Sequence, residues 1–432
     1  MSAAALIARR ITEAQSGRLA SLIIRLAIVS TALCIAVMIV ASALLRGFKS
    51  EISEKIFGFW GHVHVAAAQS GDGMFEAVPF SRSAPWIDSL RAMRGPVALS
   101  ETVRRIGAEE GYGASSRAGV RHVQSYIVKP GVIQTKDEIE GILLKGAGAD
   151  FDWGFFGDNL RAGEVFPLAD STPSRRVLLS EQTAARVELA VGDAFVVHFP
   201  EGRQMRRLRF TVGGLYRTGL EEYDTQFAIV DQRVLQEILG WTPDQISGVE
   251  VLLADARDTE ALASQIYLES VPAEFYAESV RQRFPGIFEW LDLQDLNEYV
   301  IIGLMVVVCV INMITALLIL ILERTSMIGV LRTLGMGGAA LRGIFLRFAS
   351  RVLLRGLLWG NVVGLAVCLL QATTGVFRLS EENYYLSTAP IRVNWAMVAG
   401  LNVGTFLLVM AALVLPAMLV TRVDPVKTIR FD

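Results

Sequence analysis

Acidic residues are missing from four long stretches of this chain, approximately 22–45, 299–322, 352–376 and 396–420. Each is apolar and long enough to cross a hydrocarbon core of about 30 Å, which takes roughly 20 helical residues. With 52% hydrophobic residues, only 19% charged ones and a mean hydropathy of +0.43, the chain is too apolar for an ordinary soluble enzyme of 432 residues. Cysteine is nearly absent. Cys34, Cys309 and Cys368 are the only three, and each falls inside an expected span. The long segment between the first two spans therefore has no disulfide and must hold together through its own core. With about 250 residues it has enough chain to do so.

Catalytic groupings are missing as well. There is no nucleophile elbow, no zinc spacing and no GxxxxGK[ST] loop, and no lysine follows a glycine, so the chain cannot cradle ATP phosphates in a Walker A loop. The four histidines, His62, His64, His122 and His198, all lie outside the spans. His62 and His64 are spaced to share one face of a strand, but no cysteine or acidic cluster accompanies them, so a core or surface role outweighs a metal site. Glu221 and Glu222, close to Asp224, offer the paired carboxylates a hydrolase could use, although a solvated turn between two strands explains them more simply. No acidic residue sits mid-span, which argues against a proton-coupled carrier.

Basic residues set the expected orientation. Arg9, Arg10 and Arg18 precede the first span, Arg324, Arg332, Arg342, Arg347 and Arg351 lie between the second and third, and Arg422, Lys427 and Arg430 follow the fourth. All three groups read as cytoplasmic. Arg378 and Arg392, balanced by Glu381 and Glu382, fall outside. The N-terminus, with basic residues, an apolar run and a small "ASA" tripeptide, imitates a signal peptide, but its run exceeds the usual h-region of about 7 to 15 residues. The expected fold is thus a membrane protein of four transmembrane α-helices with a large α+β extracytoplasmic domain between helices 1 and 2. In order this gives a cytoplasmic segment 1–21, helix 22–45, an external domain 46–298, helix 299–322, a cytoplasmic stretch 323–351, helix 352–376, an external loop 377–395, helix 396–420 and a tail 421–432.

Within the external domain, "HVHV", "RRVLLS", "AFVVHF", "LRFTVGGLYRTG", "FAIVD" and "GVEVLL" have strand character and are separated by turn signals. They are densest between about 175 and 253, which suggests a β-rich lobe at about 160–241 inserted into an α+β lobe. Helices are expected at 181–189 behind Ser180, at 232–239 behind Asp231 and at 259–268.

Behind the second span comes "LERTSMIGVLRTLGM". On a helix, Met327, Val330, Leu331 and Leu334 form an apolar stripe, with Arg324, Thr325, Arg332 and Thr333 largely opposite. Such a helix suits a lipid interface or a groove on a cytoplasmic partner. Arg347, Arg351 and Arg355 recur every four residues as the chain enters the third span, where long side chains snorkel to phosphates. Gly356, Gly360 and Gly364 make two overlapping GxxxG spacings, and Gly400 and Gly404 a third, suited to packing within the chain or between copies. Asn312 and Thr315 are polar groups able to bond across helices inside the second span.

At these residues a resemblance emerges. Glu323-Arg324 closing a span, then "MIGVLRTLG", then a basic helix entering the next span resembles the FtsX-like permease superfamily, membrane subunits of a type of ABC transporter that includes MacB. Within it the likeness is to the lipoprotein-releasing branch, LolC and LolE. "GFKSEISEKIFGFWGHVHV" is similar to the family's segment joining span 1 to the external domain. "LLSEQTAARVELAVGDAFVVHFP" and "FTVGGLYRTGLEEYDTQFAIVD" resemble its external β lobe, and "LVLPAMLVTRVDPVKTIRFD" its C-terminal end. The likeness covers nearly the whole chain.

That resemblance implies a non-catalytic permease of the bacterial inner membrane, with cytoplasmic termini and a periplasmic domain. Its coupling helix would dock on a separate LolD-like ATPase through Glu323, Arg324, Met327, Ile328, Leu331, Arg332 and Leu334. ATP and Mg would be used by that partner and no cofactor by this chain. A second permease, either a copy or a paralogue, would complete the transporter. Lipid-anchored cargo would meet the outer ends of spans 1 and 2 around Leu44, Phe48, Tyr299 and Gly303 and leave toward a periplasmic carrier. Two alternatives share the architecture: a MacB-like exporter of peptides or small molecules, and an FtsX-like regulator of a cell-wall hydrolase.

Overall fold

Four helices of the computed structural model are long and apolar enough to cross a membrane. The structure describes residues 18–70, 78–108, 111–135, 138–166, 168, 172–201, 204–380 and 384–419. Arg9, Arg10, Glu381, Glu382, Arg422, Lys427 and Arg430, part of the orientation argument, lie outside them. Two compact units emerge. One contains the described residues up to Glu51, Trp290–Arg378 and those from Thr388 on, and the other contains Ile52–Glu289 and Leu379–Ser387.

The first unit is helical: α1 Arg18–Trp60, α2 Pro285–Glu323, α3 Thr325–Thr333, α4 Gly338–Thr374 and α5 Trp395–Leu419. The unit boundary falls inside α1 and α2. Both helices exceed the spans expected from hydropathy by about four turns. The reason in α1 is local: beyond residue 45, Phe48, Ile52, Ile56 and Phe59 recur at helical spacing and are all buried. A window that averages hydropathy does not register this amphipathic continuation.

Close helix packing explains three of the glycines. A Cβ on Gly356 would sit 2.6 Å from Thr31, one on Gly360 2.6 Å from Ile35, and one on Gly364 3.1 Å from Ala36, so α4 packs on α1 through all three. Gly400 and Gly404 have no neighbour within 4 Å, so the third spacing makes no such contact within the described chain. Polar groups add bonds between helices. Asn361 Nδ2 donates to Asn402 Oδ1 at 2.7 Å and Asn402 Nδ2 to Asn361 Oδ1 at 2.9 Å, joining α4 to α5. Asn312 donates to Ser30 Oγ across α2 and α1. Thr315 does not cross: its hydroxyl donates to Ile311 O at 2.8 Å in its own helix, the usual sink for a helical threonine.

The second unit is built on a ten-stranded sheet, beside a small pairing of Phe80–Ser81 with Gln245–Ile246: β1 Val63–Ala67, β2 Val120–Gln134, β3 Ile139–Ala147, β4 Leu160–Gly163, β5 Arg176–Ser180, β6 Ala194–Glu201, β7 Gln204–Tyr216, β8 Phe227–Asp231, β9 Gly248–Leu253 and β10 Phe275–Ser279. They run in the order β10-β1-β9-β2-β3-β8-β5-β7-β4, and β6 pairs with both β2 and β7. Those last pairings close a circuit, β2-β3-β8-β5-β7-β6 and back to β2, so six strands form a small barrel. Alternation along β6 shows the result, with Phe195, Val197 and Phe199 filling the interior and Val196 and His198 facing out. The open part, β10-β1-β9-β2, carries a separate core with helices Pro85–Ala92, Glu101–Ile106 and Thr259–Gln265.

The lobe boundary expected at 160–241 differs from this arrangement. Ile127 and Ile133 of β2 and Ile142 and Leu144 of β3 belong to the barrel core, so the barrel recruits strands well upstream of residue 160. β2 serves both cores: Val120 and Val123 lie in the open core, Ile127 and Ile133 in the barrel. Local caps agree with the residue pattern. Ser180 Oγ accepts from Thr183 N at 3.0 Å to start helix Glu181–Arg186, and Asp231 from Arg233 N at 2.9 Å to start helix Gln232–Leu239. Tyr385, from the expected loop 377–395, belongs to this unit, with Lys55 Nζ donating to its carbonyl at 2.9 Å.

Gly360→Val should lower the thermal midpoint of the detergent-purified chain by several degrees, because Ile35 and the Ala32 carbonyl occupy the space a side chain needs. Gly404→Val should leave it unchanged. Equal effects of the two substitutions would refute the packing described.

Candidate functional site

α2 ends at Glu323, Arg324 breaks the helix at φ −103° and ψ 18°, and α3 follows at once. Gly335 at φ +85° then turns the chain toward α4. The stripe expected on α3 is split between two faces. Ile328 is fully buried, and Met327 and Leu331 pack half-buried against the same helical core. Val330, 49% exposed, and Leu334, 77% exposed, point out beside exposed Glu323. Arg324 and Arg332 are half-buried. Glu323, Val330 and Leu334 thus present exposed side chains, while Met327, Ile328 and Leu331 pack α3 against its own chain.

The outer ends of the first two spans are also sorted by packing. Phe48 is buried and meets Trp290 edge-on at 5.4 Å, Leu44 is half-buried, Tyr299 is 72% exposed and Gly303 has open space around it. Only Tyr299 and Gly303 of these four present an open surface. An ion-pair ladder ties α1 to α2 here. Arg46 Nε lies 3.2 Å from Glu298, and Lys49 Nζ 2.9 Å and 2.6 Å from Asp292 and Asp295. The Lys49 pairs are partly exposed and individually weak, and the ladder's effect is to fix register.

In the external unit, the most tightly built polar group is one that residue patterns did not single out. Lys145 on β3 is fully buried, with its ammonium 2.7 Å from Glu250 Oε1 on β9, itself fully buried. Lys145 also donates to the carbonyl of Phe59 at 2.8 Å and lies 5.0 Å from the centre of the Trp60 ring. Gln124 on β2 donates to the other oxygen of Glu250 at 2.7 Å. Burial pushes the Lys145 pKa down and that of Glu250 up, and the mutual attraction opposes both shifts. A signal existed in the sequence: "ILLKGA" and "GVEVLL" are apolar strands each interrupted by one charge, and two such charges of opposite sign need a partner.

The expected histidines are core residues. His62 Nδ1 accepts the Leu253 N–H at 3.2 Å, and burial holds His62 down at about 3. His64 is fully buried and is likewise lowered, first by burial and then by Arg283 and Lys145. Among the described residues no cluster of three potential metal ligands occurs. Asp224 is buried and accepts from Thr218 N at 3.0 Å, Thr218 Oγ1 at 2.7 Å and Gly219 N at 3.0 Å. The carboxylates after Gly219 thus belong to a turn and the short helix Glu221–Gln226, with Asp224 fixing backbone. On the outer wall of the barrel, a concavity of about 720 Å³ is lined by Gln134, Thr135, Leu189, His198, Arg207 and Arg209, with no carboxylate among the described lining residues.

Four helices long and apolar enough to cross a membrane, with a barrel-bearing domain between the first two, give the architecture of a multi-span membrane protein with one large extramembrane domain. The family model described as MacB-like periplasmic core domain matches residues 26–267, more than half the chain, and the FtsX-like permease C-terminal model matches 299–425. The chain belongs to this family of FtsX-like, MacB-type ABC transporter permeases. Among curated relatives it is 23% identical over 421 residues to the lipoprotein-releasing system transmembrane protein LolC of Xylella fastidiosa, covering 94% of this chain and 93% of that one. It is 22% identical to LolC of Neisseria meningitidis, over 95% of both chains, and 22% identical to LolE of Haemophilus influenzae, over 96% of both. The solved extracellular domain of the noncanonic ABC-type transporter YknZ from Gram-positive bacteria matches at a TM-score of 0.30 and 15% identity, covering 50% of this chain and 98% of that one.

Lys145→Met should cost about 3–5 kcal/mol because it leaves Glu250 buried and unpaired. Adding Glu250→Leu should restore much of that loss, as read from thermal midpoints, and a double variant no better than the single one would show that the pair is not the coupled unit described. Stability should also fall in acid. An unfolded chain binds protons at these imidazoles near 6.5, the folded chain at His62 only near 3, so between those values acid favours unfolding, by up to about 1.4 kcal/mol per pH unit for each histidine. Replacing His62 and His64 by glutamine should flatten the slope of midpoint against pH from 6.5 to 4, and an unchanged slope would rule the histidines out as its source.

Proposed function

We propose that the chain is the permease subunit of an inner-membrane ABC transporter that uses a separate, LolD-like ATPase to extract lipoproteins toward the outer membrane. The observation that carries this reading is the similarity to lipoprotein-releasing permeases over 94–96% of the chain. In this reading α3 is the docking element. Exposed Val330 on it, with Glu323 and Leu334 at its two ends, meets the ATPase, and Ile328 with its neighbours couples α3 to the helical core, so a push on α3 reaches α2 and α4. Closure of two ATPase subunits on ATP and Mg would move α3, and α2, one helix of 39 residues, would carry that motion outward.

A second permease, a copy or a paralogue, would supply the opposing half. The exposed outer face of α2 at Tyr299 and Gly303 is the surface for acyl chains. The cationic concavity at His198, Arg207 and Arg209 suits an acidic rim on a soluble periplasmic carrier.

Purification of the complex through a tag on this chain, with mass spectrometry of what stays bound, tests the reading. A soluble ATPase with triacylated lipoproteins is the expected result, and a second permease in the complex would define the pairing. An ATPase with a peptidoglycan hydrolase and no lipoprotein would replace the reading with the FtsX-like regulator, and an ATPase with peptide or small-molecule cargo would favour a MacB-like exporter. Val330→Asp with Leu334→Asp should abolish ATPase retention without lowering the thermal midpoint, since both side chains are exposed. Ile328→Asp should lower the midpoint itself.

A further inference from the structure

Between Glu323 and Arg355 the chain carries six arginines, no lysine and only one acidic residue, Glu323 itself. Three of the six, Arg347, Arg351 and Arg355, recur at four-residue spacing on α4, a helix with no aspartate or glutamate. Packing decides which way this column faces. The other side of α4, with Phe348, Val352, Gly356 and Gly360, is buried, and both glycines press on α1. Arg347 and Arg355 are exposed, Arg351 is half-buried, and the face continues outward through Leu358 at 63% exposure and Trp359 at 58%. Among the described residues neither Arg351 nor Arg355 has a side-chain hydrogen bond or ion pair.

Depth along the helix identifies the environment. Arg355 lies about 28 Å from Thr374 at the far end of α4, close to the thickness of a hydrocarbon core. Its guanidinium therefore stands at one edge of the apolar layer, with Arg351 about 6 Å further out and Leu358 and Trp359 just inside. A guanidinium at that depth is costly in hydrocarbon and favourable against phosphate oxygens, which a planar fork meets two at a time. Two such forks one turn apart, with an aromatic ring beneath them to pack along an acyl chain, make a headgroup clamp and not merely a snorkelling residue.

We propose that Arg351 and Arg355, extended by Arg347 and floored by Leu358 and Trp359, form a binding site for an anionic phospholipid on the face of α4 turned away from α1. The site selects net negative headgroup charge, so phosphatidylglycerol binds in preference to phosphatidylcholine of the same acyl chains. It depends on α4 crossing the bilayer and not on what the transporter moves, so the transport reading stands or falls separately. Because α3 and α4 share one buried core, occupancy of the site also fixes the helix next to the docking segment.

Native mass spectrometry of the full chain in detergent, titrated with dioleoylphosphatidylglycerol or dioleoylphosphatidylcholine, tests this. One phosphatidylglycerol should be retained preferentially. Removing each arginine should weaken that preference roughly fivefold, so that Arg351→Gln with Arg355→Gln nearly erases it. Arg351→Lys with Arg355→Lys, which keeps the charge but not the fork, should weaken retention of both lipids while keeping most of the preference, and Arg342→Gln, off the column, should change neither. Equal retention of the two lipids, or a preference untouched in the double glutamine variant, would overturn the proposal. So would loss of the preference on adding inorganic phosphate, which would mark a site for a free anion.

Discussion

A single buried ammonium organises the external domain. Lys145 reaches the carbonyl of Phe59 near the end of α1, the carboxylate of Glu250 on β9 and the faces of Phe59 and Trp60, and it does so from β3, a wall of the barrel. With Gln124 on β2 holding the other oxygen of Glu250, four separate elements share one polar node. Charges in so dry a place are tolerated only when every partner is in position, so removing one partner costs far more than the intact pair contributes. The aromatic shell around it, Phe59 against Trp60 and Tyr223 and Trp60 against Phe227 and Phe284, excludes the water that would otherwise relax it.

The helical unit obeys a different constraint. Apolar surface gives little preference for one helix partner over another in lipid, so partner choice falls to shape and to the few polar groups. Gly356, Gly360 and Gly364 let α4 approach α1 closely, Asn361 and Asn402 join α4 to α5, and Asn312 reaches Ser30. That packing fixes the outward face of α4, and with it the arginine column. The same unit holds the inner face of α3 and leaves Val330 and Leu334 uncovered, so a segment of fifteen residues, Leu322 to Met336, is divided between a buried face and an exposed one.

These two constraints suit the mechanical role proposed above. The buried polar groups serve structure: His62 and Asp224 are bonded to backbone N–H groups, and Glu250 is paired with Lys145. What the chain offers is long uninterrupted helices, a ladder of ion pairs that keeps α1 and α2 in register, and an external domain with a closed barrel.

The amino-acid sequence alone determined what depends on local composition and period. The four apolar runs, the caps at Ser180 and Asp231 and the strand character of the external segments are each legible within about 20 residues, because burial in lipid, capping and pleat alternation act over that range. Membership of the permease family was equally legible, through stretches spread along the whole chain. Pairings between distant residues were not. Closure of the barrel through β2 and β6, the meeting of Lys145 with Glu250, the choice of α1 as the partner of Gly356 and the inward turn of Ile328 each join segments whose local patterns are compatible with several partners. Only the folded chain decides among them, because strand pairing, close packing and the burial of a charge are settled by what occupies the space opposite, and that is set by the tertiary structure.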